Sequence, residues 1–164
     1  MTRRVYVMGY YPKNFFGRFE VWFCNAIGRD AASHVSFLFP KSTDIGAQVL
    51  TEIEAITPVI VEHPFRPKTS KGLMYYCDVT EQEFRTMVNV ARSLVGRDYD
   101  KPGILGFVTR SRKQDPTKWF CSELVSHVFK MGGHPLSRKP DWKMTPFDVV
   151  TSEILTPVIE EPIS

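Results

Sequence analysis

The chain of 164 residues carries 21 Lys and Arg against 18 Asp and Glu, a formal charge of +3 with histidine neutral, and 43% of it is apolar. Such a chain is expected to form one domain, residues 1–164, with its own core; it is too apolar for a disordered protein and too weakly basic for nucleic acid to be its main partner. No apolar run approaches the roughly 18 residues of a membrane span, and the charged start Met1-Thr2-Arg3-Arg4 does not lead into a secretory signal.

Along the chain, the Val-Tyr-Val centre of Arg4 to Met8 predicts an opening strand. Phe19 to Ile27 reads as a helix with Phe19, Trp22, Phe23, Ala26 and Ile27 on one side and Gly28 as its stop. His34 to Phe39 is a strand rich in β-formers, closed by Pro40. Thr51 to Ile56 with Val59 to Glu62 reads as a strand or a hairpin, and Leu73 to Val79 as a further strand. Thr80-Glu81-Gln82-Glu83 has the form of a capping box, in which two orphan amides at a helix start are satisfied reciprocally. The stripe Phe84, Met87, Val88, Ala91 and Leu94 follows, ended by Gly96. After a Gly-bearing, basic loop from Arg97 to Lys118, a second helix spans Cys121 to Met131, and Thr145-Pro146 opens a short last one. Strands and helices mix without a βαβ rhythm, which predicts an α+β fold with an antiparallel sheet.

Chemistry concentrates at Cys121. Cys24, Cys77 and Cys121 form no C-x-x-C, so neither a disulfide scaffold nor a structural zinc site is expected, and a reducing, cytoplasmic setting fits best. Cys24 and Cys77, beside Trp22-Phe23 and Tyr75-Tyr76, read as structural. Cys121 stands at the start of a predicted helix, where amide dipoles favour a thiolate. A small buried residue is the plain alternative. His34 opens a strand whose face includes Ser36 and Leu38, and a histidine in a core sheet needs a polar partner. A Cys–His pair supplies one and is the minimal nucleophile–base unit for acyl transfer. A third group should fix the imidazole through its second nitrogen. Glu52 and Glu54 share one face of the neighbouring predicted strand, with Glu54 favoured and Glu62 or His63 as alternatives.

Four stretches, in order, carry a resemblance: Ser33-His34-Val35-Ser36, Gly96-Arg97-Asp98-Tyr99-Asp100, Phe120-Cys121-Ser122-Glu123-Leu124-Val125 and Met144-Thr145-Pro146-Phe147-Asp148. They resemble the histidine strand, "G-x-x-Y-D" element, "Y-C-S-E-L-V" nucleophile helix and "T-P-x-D" segment of the circularly permuted branch of the NlpC-type papain-like cysteine peptidases. The YiiX-like group is the most similar, and lecithin retinol acyltransferase is a distant relative. The resemblance implies a papain-like antiparallel sheet, partly barrelled and packed on the nucleophile helix. It makes Cys121 the nucleophile, His34 the base and a carboxylate near Glu54 the orienter, with Tyr99 and Asp100 on the substrate side. Phe120 stands where the family has Tyr, and the family's "G-D-L/I" entry before the histidine strand is not recognisable.

The expected activity is that of a thiol hydrolase, a cysteine peptidase or amidase acting on a peptide or γ-glutamyl amide such as those of cell-wall peptides. Lipid or thioester acyl transfer and a catalytically silent binding protein are the alternatives. No cofactor and no metal are expected, because His127 and His134 match no ligand spacing. A peptidoglycan-derived substrate would require phage-type release or another route of delivery. Glu123 is expected to anchor a basic group, and Arg110, Arg112, Lys113 and Lys118 to be solvated.

Overall fold

The computed structural model describes residues 2–11, 32–42, 48–66, 71–99 and 118–158. The expected helix over Phe19–Ile27, Cys24, Asp100 and residues 101–117 of the basic loop lie outside them. Eight strands and three helices are described: β1 (Thr2–Tyr11), β2 (His34–Ser42), β3 (Gln48–Ala55), β4 (Ile60–Pro64), β5 (Lys71–Thr80), α1 (Glu81–Ser93), β6 (Asp98–Tyr99), β7 (Lys118–Trp119), α2 (Cys121–Met131), α3 (Pro146–Val150) and β8 (Thr156–Pro157). The fold is α+β. Six strands form an antiparallel sheet in the order β4-β3-β2-β1-β5-β8, and β6 and β7 pair in parallel beside it.

Strand alternation divides the sheet into two faces of different chemistry. Val5 and Val7 of β1, Val35, Phe37 and Phe39 of β2, Ile53 of β3 and Cys77 and Val79 of β5 face the helices. There they meet Phe84, Met87, Val88 and Ala91 of α1 and Leu124, Val125, Val128 and Phe129 of α2. Phe129 meets Phe37 edge-on with ring centroids 6.2 Å apart. Each such side chain removed from water contributes about 1.5–3 kcal/mol, so this layer holds the helices on the sheet. The opposite face carries a smaller apolar cluster of Met8, Tyr10 and Leu38, and beside it a polar row. Where the sequence predicts shorter strands, the ladders run further. β1 extends to Tyr11 because Tyr10 and Tyr11 continue the pairing with Gly72 and Lys71 of β5, and β4 extends to Pro64, paired with Thr51.

The capping box forms: the Glu83 amide donates to Thr80 Oγ1 at 3.3 Å, and the Thr80 amide to Glu83 Oε2 at 2.7 Å. At the other end of α1, Gly96 takes φ +85°, a left-handed conformation that L side chains rarely adopt. The turn lets the Gly96 amide donate to the Ile60 carbonyl and the Ile60 amide to the Arg97 carbonyl, both at 2.9 Å. It therefore clips the end of α1 to the start of β4. Replacement of Gly96 by Ala meets no atom within 4 Å, so its cost is one of backbone alone, about 1–2 kcal/mol. Thr80→Ala should cost about 1 kcal/mol. Thermal denaturation should show each as a drop in Tm of about 2–4 °C per kcal/mol, with the reactivity of Cys121 unchanged.

Candidate active site

Cys121 is the first residue of α2, following Phe120 in an extended conformation (φ −117°, ψ 170°) that offers no side-chain cap. The first amides of a helix have no intrahelical acceptor, and here they surround a sulfur. Sγ of Cys121 accepts hydrogen bonds from the backbone amides of Val35 and Ser122. The helix itself is fixed by more than its apolar face. Ser122 Oγ donates to the Met144 carbonyl, and Ser126 Oγ donates to Asp141 Oδ1 at 2.9 Å.

His34 is the first residue of β2, so its ring stands at the strand's end, where it meets the thiol. Its Nε2 lies 2.8 Å from Glu54 Oε2. A carboxylate only accepts, so Nε2 carries the proton and the bond to Cys121 falls to Nδ1. Tyr10, the register partner of His34 on β1, stacks on the imidazole with centroids 5.6 Å apart and planes 27° from parallel. Thiol, imidazole and carboxylate thus stand in one series, in the order Cys121, His34 and Glu54.

Two carboxylates support this order from β3. Glu52 and Glu54 have 0% and 2% relative exposure. Glu52 Oε1 accepts from Tyr10 Oη at 2.7 Å and from Ser36 Oγ at 2.6 Å. Glu54 Oε1 lies 2.9 Å from His63 Nε2 on β4. The row therefore crosses four adjacent strands: Tyr10, His34 and Ser36, Glu52 and Glu54, and His63.

Electrostatics favours the charged form of the pair. Burial alone would lower the basicity of His34, but the Cys121 thiolate and the Glu54 carboxylate outweigh it and hold the imidazole up at about 9. Burial likewise pushes the Cys121 thiol up, yet His34 and the two backbone amides bring it below its ordinary value. At Cys77, by contrast, burial, with Asp78 and Glu83 adding to it, pushes the thiol up. Cys121 and His34 therefore each favour the charged form of the other, thiolate and imidazolium. The structure thus brings Cys121, His34 and Glu54 together.

The other predicted residues divide. Tyr99 is half-buried in β6, paired with Trp119 of β7, two residues before Cys121. Asp100 lies outside the described residues. Glu62 points away, to Arg92 of α1 at 2.9 Å, and is no orienter. His63 joins the site through Glu54 rather than through His34. Glu123 is buried in the first turn of α2. Asp148 of the "T-P-x-D" stretch caps α3: Thr145 N and Oγ1 donate to Oδ2 at 3.0 and 2.9 Å.

Glu52, Glu54 and His63 place ligand-type atoms within 4.8 Å of one another, a donor set that could hold a metal ion. Ligand spacing within one segment gave no sign of it, because the atoms come from two strands. Here Glu54 engages two imidazoles and Glu52 two hydroxyls. Tyr10 and Ser36 were not singled out from the sequence as site residues; alternation along β2 was the available signal for Ser36, whereas Tyr10 meets His34 through the β1–β2 register. No family model, curated protein or solved structure matches the chain.

The geometry sets the reactivity of the thiols. Near pH 6, iodoacetamide should modify Cys121 well ahead of Cys77, with an apparent pKa for Cys121 below that of a free thiol. Replacing His34 by Ala removes the compensating cation and leaves only the two backbone amides to oppose burial. Each pKa unit gained cuts the thiolate population about tenfold, so alkylation of Cys121 near pH 6 should fall by about tenfold or more. Peptide mass spectrometry across the pH range reads both sites at once.

Proposed function

We propose that the protein is a thiol hydrolase that works through an acyl-enzyme on Cys121, with a papain-like core of the permuted NlpC type. The observation that carries this reading is the hydrogen-bonded series Cys121–His34–Glu54 at the start of a buried helix. Supporting it, the four stretches of the resemblance fall on the start of β2, the turn into β6, the start of α2 and the cap of α3. The order along the chain, His34 before Cys121, is that of the permuted branch.

In this mechanism the Cys121 thiolate attacks an amide carbonyl carbon, and the carbonyl π electrons move to oxygen. The amide N–H of Cys121, one of the first of α2, faces the growing negative charge at the positive end of the helix. The tetrahedral intermediate collapses as His34 gives its Nδ1 proton to the departing amine, leaving a thioester. His34, now neutral, takes a proton from water; the hydroxide attacks the thioester, and the thiolate leaves. Glu54 keeps Nε2–H in place and stabilises the imidazolium whenever it forms. Tyr99, beside Trp119, flanks the acyl side. A peptide or γ-glutamyl amide, of the kind found in cell-wall peptides, is the substrate class placed first.

Two ionisations govern the rate. Cys121 must be ionised, which sets the acid limb below the ordinary thiol range. His34 must be protonated to serve the leaving amine, so the rate should fall as pH rises through about 9. A bell-shaped kcat/KM profile with these limbs is the expected result.

Fluorogenic peptide and γ-glutamyl amides, followed by intact-mass detection of an acyl adduct on Cys121, test the reading directly. Cys121→Ala should abolish turnover and adduct. Glu54→Gln should lower kcat by about 10²-fold or more while the fold persists. Amide turnover that survives Cys121→Ala, or a thiol at Cys121 that titrates like a free one, would overturn it.

A further inference from the structure

His63 lies on β4, at one end of the sheet, and its side chain is 35% exposed, against 3% for that of Glu54. In register it stands opposite Glu52, one step along the same face from Glu54. Its Nε2 is 2.9 Å from Glu54 Oε1. Its Nδ1 is 3.1 Å from the Pro64 carbonyl oxygen and 3.9 Å from Glu52 Oε2. Every one of these partners is an acceptor, and a neutral imidazole has only one N–H to give. This setting favours a ring protonated on both nitrogens, an imidazolium.

That cation sits behind the carboxylate on which His34 depends. Glu54 uses one oxygen for each ring: Oε2 toward His34 at 2.8 Å and Oε1 toward His63 at 2.9 Å. Among the described residues, the charged and titratable groups facing the cluster include Tyr10 from β1, His34 from β2, Glu52 and Glu54 from β3, and the Cys121 thiol beyond His34. Burial holds the Tyr10 phenol protonated, with Glu52 as acceptor adding to this. Glu62, the neighbour of His63 on β4, is turned to Arg92 and takes no part.

We propose that His63 is a fourth, positioning member of the site, an imidazolium that keeps Glu54 ionised and aligned so that the Cys121–His34 pair stays charged. The proposal rests on the Cys121–His34–Glu54 reading. Two buried carboxylates on one strand face are like charges in a medium of low dielectric, and the cation beside them offsets that repulsion. Its removal loosens the charged, aligned Glu54 on which His34 depends. The imidazolium is then less favoured, and so is the thiolate it supports.

The test compares wild type with His63→Ala, His63→Gln and, as a control on the same strand, Glu62→Gln. Each is read by the pH profile of Cys121 alkylation with a chelator present, and by the titration of the His34 ring in NMR spectra of histidine-labelled protein. In His63→Ala, alkylation near pH 6 should fall about tenfold, equivalent to one pKa unit at the thiol, and the His34 titration should move to lower pH. Because His63 is partly exposed, millimolar imidazole should restore the lost reactivity. His63→Gln keeps one donor to Glu54 but no charge, so it should fall between alanine and wild type. Glu62→Gln should match wild type.

If a folded His63→Ala protein gives alkylation and His34 titrations superimposable on wild type, the proposal is overturned while the triad stands. If wild-type Cys121 itself titrates as a free thiol, the triad reading fails in that arm and takes this proposal with it. A loss in His63→Ala that is matched by Glu62→Gln would mark disturbance of β4 and would also overturn it.

Discussion

Two glutamates buried side by side on one face of β3 are the constraint from which the rest of the site follows. Isolated, each buried charge would cost several kcal/mol to desolvate, and together they repel. Glu52 is compensated by hydroxyls, from Tyr10 and Ser36, and Glu54 by imidazoles, from His34 and His63. This arrangement does not make the domain more stable than an apolar row of the same volume would. Its effect is on the protonation of His34. With carboxylate on one side and thiolate on the other, the ring is more basic than a free histidine despite its burial.

The scaffold converts that basicity into geometry. β2 delivers His34 at its first residue and α2 delivers Cys121 at its first residue, so the two meet at element ends, where backbone amides are unpaired by the element itself. The Val35 amide, next along β2, and the Ser122 amide, next along α2, both turn to the sulfur. One strand start and one helix start thus supply both the partner ring and the donors. The apolar layer of Phe37, Val35, Leu124 and Phe129 holds those two starts against each other. Tyr10 has a double part, since its ring covers His34 while its hydroxyl serves Glu52.

How much of this the sequence carried depends on whether an interaction is local. Thr80-Glu81-Gln82-Glu83 and Thr145-Pro146-Phe147-Asp148 form capping boxes because both partners lie three residues apart and need nothing from the rest of the chain. Period-2 alternation placed Glu52 and Glu54 on one face, and likewise His34 and Ser36. It could not place β3 beside β2, nor decide that Glu54 rather than Glu52 reaches the ring, because cross-strand register is set by packing and turns. The same limit applied to His63. Its neighbour Glu62 is as close in sequence, yet alternation sends Glu62 to Arg92 and His63 to the site. Strand ends ran past their predicted limits for the same reason, since a partner strand such as β5 can recruit residues that propensity leaves open.

The motif residues outside the Cys121–His34–Glu54 series have positions that explain them. Gly96 turns the chain at φ +85° and ties α1 to the first residue of β4, the strand that carries His63. Asp148 caps α3 and also binds Lys139 at 2.7 Å, and Thr145, its capping partner, follows Met144, whose carbonyl accepts from Ser122 of α2. Each therefore fixes an element that carries a site residue: Gly96 the strand behind Glu54, and the α3 cap the helix that presents Cys121. The thiolate needs its imidazole and amides at hydrogen-bond distance, and a helix start displaced by 1 Å would lose them. Residues that only cap and clip are, on this argument, as closely tied to the reactivity of Cys121 as those that touch it.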